Sequence, residues 1–385
     1  MDFTLTEEQR AVSDAATAIL VGMGDPARIA EVELSDDRVD RLLWSALASA
    51  DLLGLIVPEA DGGSGCGLME VCLLLEAQGM AVAPVPLWPT LLLGALPIAR
   101  FGSEAQRAQW LPGVTAGETF LTAALTGAAA SPTSMPSVVA RAVAGSGDDY
   151  DWVLDGTELA VPQAHVATRI VVPARTEGGV LLALVDPQAA GVRLERAVTT
   201  NREIHPHLHL SDVAVSSDDV LVGPDVGRSA LDYVLIAATV GLCALQVGVC
   251  EAALERTAAY LNTRNQFGRP LSTFQGTMLK AADAAIDIEA MRVTWQNAAW
   301  RFDTGRDAAD AARVAKWQAS ERGQRAVHTT QHLHGGMGAD ITYPIHRYFL
   351  WGKQIELLLG GPSVQLARLG ADIAERALAQ AEAGQ

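Results

Sequence analysis

Two short segments in the last third of the chain carry side chains suited to a phosphorylated, aromatic ligand. The first reads Arg264-Asn265-Gln266-Phe267-Gly268-Arg269-Pro270-Leu271. Arg264 closes a long helical pattern, where a cation suits the dipole. The turn after it would present the guanidinium to a phosphate and the Phe267 ring to an adenine. The second reads Gln331-His332-Leu333-His334-Gly335-Gly336-Met337-Gly338. Its glycines let the backbone approach a ligand closely and expose N–H groups to phosphate. Taken alone, the same residues also suit a helix C-cap with a core Phe and a flexible helix–helix connection. A third pattern, His205-Pro206-His207-Leu208-His209, would set three imidazoles on one face of a strand. Three His can bind zinc, and His328, His332 and His334 form a second loose group. Polar strand-edge histidines are the competing reading, and no acidic partner for a metal hydrolase is identifiable. Finally, Leu357-Leu358-Leu359-Gly360-Gly361-Pro362-Ser363 lies in a stretch with no Asp or Glu between Glu356 and Asp372. That turn contains nothing able to take up a proton.

The elements that must position these residues change character along the chain. Residues 1–118 read as helices with short loops. Thr6 before Glu7-Glu8-Gln9 is a plausible N-cap, and Leu68 to Met80 is apolar on most faces, hence a buried helix. Residues 119–226 carry short β-like runs separated by Gly, Asp and Ser, which suggests a small sandwich or barrel. Residues 227–385 give long helical patterns over 227–261, 272–302 and 307–333, with a last helix from Pro362. These suggest an antiparallel four-helix bundle.

A chain of 385 residues that is 49% hydrophobic buries a large core in two or three domains. The net charge of −17 argues against nucleic acid and anionic membrane surfaces as partners. No apolar run is expected to reach the ~18 residues of a membrane span. The acidic N-terminus lacks the order of a signal peptide. Four Cys without a CxxC pair suit reduced thiols in a cytoplasmic protein.

The order all-α, β, all-α resembles the acyl-CoA dehydrogenase fold: a helical N-terminal domain, a central β-sandwich or barrel and a C-terminal four-helix bundle. Four motifs in order carry the resemblance. Gly54 to Gly65 is similar to the loop after the third N-terminal helix of that family. Arg264-x-x-Phe267-Gly268 resembles its Arg-x-x-Phe-Gly signature. Gln331 to Gly338 resembles its Gln-x-x-Gly-Gly-x-Gly signature, with one extra residue. Tyr343-Pro344-Ile345-His346-Arg347-Tyr348 continues as that family does. The resemblance implies FAD shared across a dimer interface. It assigns Arg264, Gln266, Phe267, Gln331, Gly335 and Gly336 to the flavin of the neighbouring subunit. It also implies an acyl-CoA substrate, α,β-dehydrogenation and electron-transferring flavoprotein as electron acceptor.

Several family features are absent. Aligned from Arg347, the usual catalytic Glu falls at Leu359; aligned on Gly-Gly, it falls at Gly360. The alternative base position falls at Ala238, beside Thr239 where an Arg is usual. The flavin-facing Thr-Glu-Pro…Gly-Ser-Asp segment leaves only Thr126 and Ser131. The flavin-stacking Trp-Ile-Thr becomes Ala160-Val161-Pro162. The whole resembles the base-lacking subunit of actinobacterial heteromeric (α2β2) acyl-CoA dehydrogenases, some of which act on steroid side chains. A homo-oligomer, a flavin monooxygenase or an acyl-CoA oxidase on the same fold, and a His-rich metal-binding protein are the other readings.

Overall fold

The structure is a computed structural model that describes residues 3–129, 135–144 and 150–383. The first third is helical: α1 Glu7–Met23, α2 Pro26–Leu34, α3 Arg41–Ser49, α4 Leu68–Ala81, α5 Leu96–Phe101 and α6 Glu104–Thr115. Thr6 caps α1 as expected, its hydroxyl accepting from Gln9 N while Gln9 accepts from Thr6 N. The helix expected over 68–80 is α4, and it is buried on most faces. A π-helical turn, Pro89–Ala95, leads into α5 and is buried throughout.

The strands are β1 Leu121–Ala123, β2 Val138–Ala144, β3 Tyr150–Glu158, β4 Arg169–Thr176, β5 Gly179–Val185, β6 Val192–Glu195, β7 His207–Val215 and β8 Val220–Val222. They form one continuous eight-stranded sheet in the order β6-β7-β3-β2-β4-β5-β8, with β1 added on β4. The pairings β1–β4 and β2–β4 are parallel, and the others are antiparallel. Inward residues such as Ala140, Leu154, Val172, Leu181 and Leu210 build a core separate from that of the helices.

The C-terminal helices are α7 Pro224–Thr263, α8 Gln275–Asp303, α9 Ala309–Leu333, α10 Ile345–Leu357 and α11 Pro362–Ala383. The expected bundle thus holds an additional helix, α10, which packs on α7 and α9. The expectation about apolar runs is corrected: α7 contains a stretch long and apolar enough to cross a membrane. That stretch is 83% buried inside the protein, so it is the central core helix. It crosses α4 at backbone contact. A methyl group on Gly79 would overlap the Leu245 carbonyl, and one on Gly248 would overlap the Glu76 carbonyl. As a result, the two helical regions share one hydrophobic core.

Buried charges tie the units further. Glu33, on α2, accepts from Arg347 Nε on α10 (3.0 Å) and from Arg202 Nη1 in the β-region (3.0 Å). Arg292, on α8, bridges Glu76 on α4 and Glu251 on α7. One guanidinium shared by two carboxylates leaves the more buried one under-compensated. Desolvation accordingly pushes Glu76 up to about 7. The folded chain therefore holds this proton more tightly than the unfolded chain. The resulting stabilisation is complete below the ordinary value near 4.5 and is lost as pH rises through about 7. Glu76→Gln is expected to flatten this part of the stability profile. Urea unfolding at pH 5, 6, 7 and 8, followed by circular dichroism, measures it; an unchanged slope would contradict the assignment.

Candidate functional site

Two of the positions where a base was sought, Ala238 and Leu359, are buried in the shared helical core, and the junction of α4, α7, α10 and the sheet near them is tight. A cavity of only about 20 Å³ remains, lined by Trp88, Pro162, Leu242, Trp351 and Leu358 among others. Such a space holds about one water molecule, far less than a tricyclic flavin ring. Trp88 donates its indole N–H to the Ala238 carbonyl (2.9 Å), and both residues are buried. Leu359 lies in the core with φ of 56°, and Gly360 follows with φ of 95°. Their carbonyls accept from Gln365 Nε2 at 2.8 and 3.1 Å. Just before the turn, the fully buried Lys316 donates to the carbonyls of Ile355 (2.8 Å) and Glu356 (3.1 Å) and to Ser320 Oγ (2.8 Å). Burial pulls its ammonium down to about 8. The turn is thus held from both sides, and Leu358 lines the small cavity.

The sheet side of the junction is equally occupied. Ala160 N donates to His207 Nδ1 (3.0 Å) and Val161 N to the Pro206 carbonyl (2.8 Å). The Pro162 carbonyl accepts from Thr122 Oγ1 (2.7 Å). Thr126 is exposed in a turn. The neighbouring Gly127 N–H is taken by the buried Glu158 carboxylate, which also accepts from Ser137 and is raised by desolvation. Ser131 lies outside the described residues. A second cavity, of about 330 Å³, opens between α7, α9 and α11 beside Thr239. Its Arg228 and Arg313 are bound to Asp232 and Asp372. Phosphates entering there would compete with carboxylates already in place.

The two glycine-containing segments are arranged oppositely: they project. Strands β9 Asn265–Gln266 and β10 Arg269–Pro270 form a hairpin whose tip is Phe267-Gly268. Positive φ at both tip residues, 53° and 79°, matches the twist of a two-residue hairpin. Phe267 is 91% exposed. Gln266 donates its amide to Asn265 O (2.7 Å), and Arg269 stacks over Phe274 (4.1 Å). Arg264 is exposed, with no carboxylate partner among the described residues. Stacking of Tyr260 on His334 (4.6 Å) ties the last turns of α7, which lead into the hairpin, to the residue before Gly335-Gly336. Open space lies over both glycines. Gln331 braces that turn, donating Nε2 to the Gly338 carbonyl (2.8 Å), whereas His328 and His332 face an open cleft with Lys280. The two segments thus leave Arg264, Phe267, Gly335 and Gly336 exposed near the linked ends of α7 and α9.

The alternating histidines are divided among separate partners. His205 Nε2 lies 3.3 Å from Glu203, His207 accepts from Ala160, and His209 meets Thr157 and Glu195 at 3.1 Å each. Among the described residues no three His, Cys, Asp or Glu stand together as metal ligands. The zinc reading is accordingly dropped. Sequence reasoning missed Trp88, Trp351 and Lys316. For Lys316 a signal existed: it shares a helical stripe with Ala312, Ala319 and Gly323, an apolar face on which a lysine must be buried. Tryptophan positions alone do not announce that they fill a pocket.

Comparison with known proteins agrees with the fold and the motifs. The sequence profile of the acyl-CoA dehydrogenase N-terminal domain matches residues 6–118, and that of the C-terminal domain matches residues 228–374. Acyl-CoA dehydrogenase FadE27 of Mycobacterium tuberculosis is 34% identical over 97% of this chain and 99% of its own length. FadE28 of the same organism is 34% identical over 96% and 98%. Among solved structures, a Tcur3481-Tcur3483 steroid ACAD variant superposes with TM-score 0.89 and 46% identity, covering 97% of this chain and all of the other. The ChsE4-ChsE5 complex from Mycobacterium tuberculosis superposes with TM-score 0.89 and 36% identity, covering 97% and 99%. The chain belongs to the acyl-CoA dehydrogenase family of FAD-dependent oxidoreductases.

Proposed function

We propose that this chain is the flavin-completing, base-lacking subunit of a heteromeric acyl-CoA dehydrogenase. One contrast carries the reading: the cavity beside Pro162, where the resemblance puts the flavin ring, measures about 20 Å³, while Phe267 stands 91% exposed near Arg264, which has no carboxylate partner among the described residues. Two copies of such a chain would present two hairpins to two closed pockets. A partner with an open pocket and its own carboxylate resolves that mismatch, as an α2β2 assembly. Arg264 would pair with the diphosphate of the dinucleotide, which a guanidinium suits by charge and geometry. Phe267 would cover the adenine or the ring system, and the Gly335-Gly336 backbone would approach the ligand without side chains in the way. Gln266 lies beside that contact, and Gln331 holds the turn in shape. When bound, FAD supplies the hydride acceptor for α,β-dehydrogenation of an acyl-CoA thioester. This chain supplies binding, orientation and exclusion of water.

Relatives described as a steroid ACAD and as a two-component complex support a steroid side-chain CoA as the substrate class of the assembly. Electron-transferring flavoprotein as acceptor and a cytoplasmic site belong to the same reading. A monooxygenase or oxidase acting alone would need an intact pocket in this chain, and the Trp88, Trp351 and Leu358 side chains fill it.

Two outcomes test this function. In the complex purified through a tag on this chain, after co-expression with a neighbouring dehydrogenase-like gene, flavin absorbance should give about one FAD per pair of unlike subunits. Arg264→Ala should weaken FAD retention there by roughly tenfold or more, the loss of a charge-assisted bond. Unaltered flavin content would remove the cross-subunit role. Separately, Leu359→Glu or Gly360→Glu places a carboxylate at an expected base position. Neither should let the isolated chain oxidise an acyl-CoA, because the cavity beside Pro162, at about 20 Å³, is too small for a flavin ring. Measurable dye reduction by either variant would show that the pocket opens.

A further inference from the structure

The direction of a glutamine amide is settled once its nitrogen is committed. Gln78, on α4, donates Nε2 to the carbonyls of Ala83 (3.0 Å) and Val85 (2.8 Å). Gln163, between β3 and β4, donates Nε2 to the Glu203 carboxylate (3.0 Å). Each Oε1 is thereby turned the other way, and both are buried with no hydrogen-bond partner among the described residues. His205 repeats the arrangement. Its Nε2 lies 3.3 Å from Glu203, while its Nδ1 is buried and unpartnered. Gln78, Gln163 and His205 are 2%, 4% and 2% exposed, so bulk solvent does not reach these atoms.

All three residues line one cavity, the space of about 20 Å³ beside Pro162. Backbone pairing sets two of them side by side, since Gln163 N donates to the carbonyl of Ile204, the residue before His205 (3.2 Å). Val85, whose carbonyl holds the Gln78 amide, lines the same space. Two other donors of the lining are committed elsewhere: the Trp88 indole to Ala238 and the Asn201 amide to Glu203. The two amide oxygens cannot satisfy each other, because both only accept. His205 Nδ1 can serve one of them at most. A buried acceptor without a donor is destabilising, so at least one oxygen calls for a donor from outside the chain.

We propose that this cavity is a binding site for one structural water, held by Gln78 Oε1, Gln163 Oε1 and His205 Nδ1. The volume admits one such molecule. Water offers two O–H donors, one for each amide oxygen, and a lone pair that accepts from an Nδ1–H of His205. An apolar group there would leave all three atoms unpaired. An anion is equally unsuited, because two carbonyl-type oxygens face it and the Glu203 carboxylate holds both Gln163 and His205. The three partners come from α4 and from two segments of the β-region. One molecule thus ties the N-terminal helices to the sheet, at the position where the resemblance puts the flavin ring. The site depends on the fold alone and not on the heteromeric assembly.

A crystal structure of the tagged, co-expressed complex, at a resolution that defines single waters, tests the site directly. One isolated density peak should lie within roughly 3 Å of all three atoms. A peak that misses any of them, or side chains turned so that the oxygens meet protein donors, overturns the proposal. A double-mutant cycle on the full chain gives a reading in solution. No hydrogen bond joins Gln78 to Gln163, yet Gln78→Leu and Gln163→Leu each remove one partner of the same water. Each should lower the melting midpoint by roughly 2 °C or more, followed by circular dichroism. The double variant should lose clearly less than the sum, because the second change acts on a water already loosened by the first. Additive shifts would mean that no molecule couples the two glutamines, and the site would be wrong. A flavin ring found in this cavity would sink both the water site and the flavin-completing function. Neither water nor flavin there would sink the water site alone.

Discussion

The backbone contact between α4 and α7 is the constraint on which the rest of the molecule depends. Gly79 and Gly248 allow the two helices to approach until side chains no longer separate them. Two regions distant in sequence thereby share one apolar core, and α7 runs through its centre. Everything functional is referenced to that helix. Its middle carries Ala238, covered by Trp88 from the N-terminal region. Its C-terminal end carries the hairpin. The buried Glu76–Arg292–Glu251 cluster forms around the same crossing, because α8 must also meet both helices there. Desolvation of Glu76 is a consequence of that closeness.

The small cavity at the junction and the projecting hairpin differ in how their side chains are partnered. At the junction, Trp88, Pro162, Leu358 and Trp351 line what space remains, together with polar residues such as Gln163 and Asn201. Polar groups that remain are bonded internally: Glu158 to Gly127 and Ser137, Gln365 to the turn carbonyls, Lys316 to the end of α10. By contrast, at the outer end of the bundle Arg264 has no carboxylate partner among the described residues, and Phe267, though it meets Phe274 edge-on (6.2 Å), stays 91% exposed. Loss of a lone base would have left a vacant pocket. Its filling together with the neighbouring polar positions suits a subunit whose contribution lies across an interface.

Much of this was legible in sequence. The all-α, β, all-α order, the burial of residues 68–80, the Thr6 cap and the glycine-bearing segments follow from periodicity, capping chemistry and turn preference, which are local. The absent carboxylate was legible for a simpler reason, since no Asp or Glu lies between Glu356 and Asp372. The short α10 was not foreseen, because its thirteen residues mix aromatic, charged and apolar types on several faces. The parallel β1–β4 and β2–β4 pairings were also hidden, as crossovers leave no local mark.

Sequence by itself determined which groups exist to do chemistry: a cation and a ring at Arg264 and Phe267, glycines at 335 and 336, and no base at Leu359, Gly360 or Ala238. Only the tertiary structure decided which of these face inward and which face out. Whether a cavity remains depends on side chains from four separate elements arriving at one point, and no spacing along the chain encodes that sum. Trp88 and Ala238 are far apart in sequence yet joined by a hydrogen bond, and Lys316 fixes a turn it does not adjoin. Packing, which is non-local, left only a small cavity at the junction and the Phe267 ring exposed at the hairpin tip.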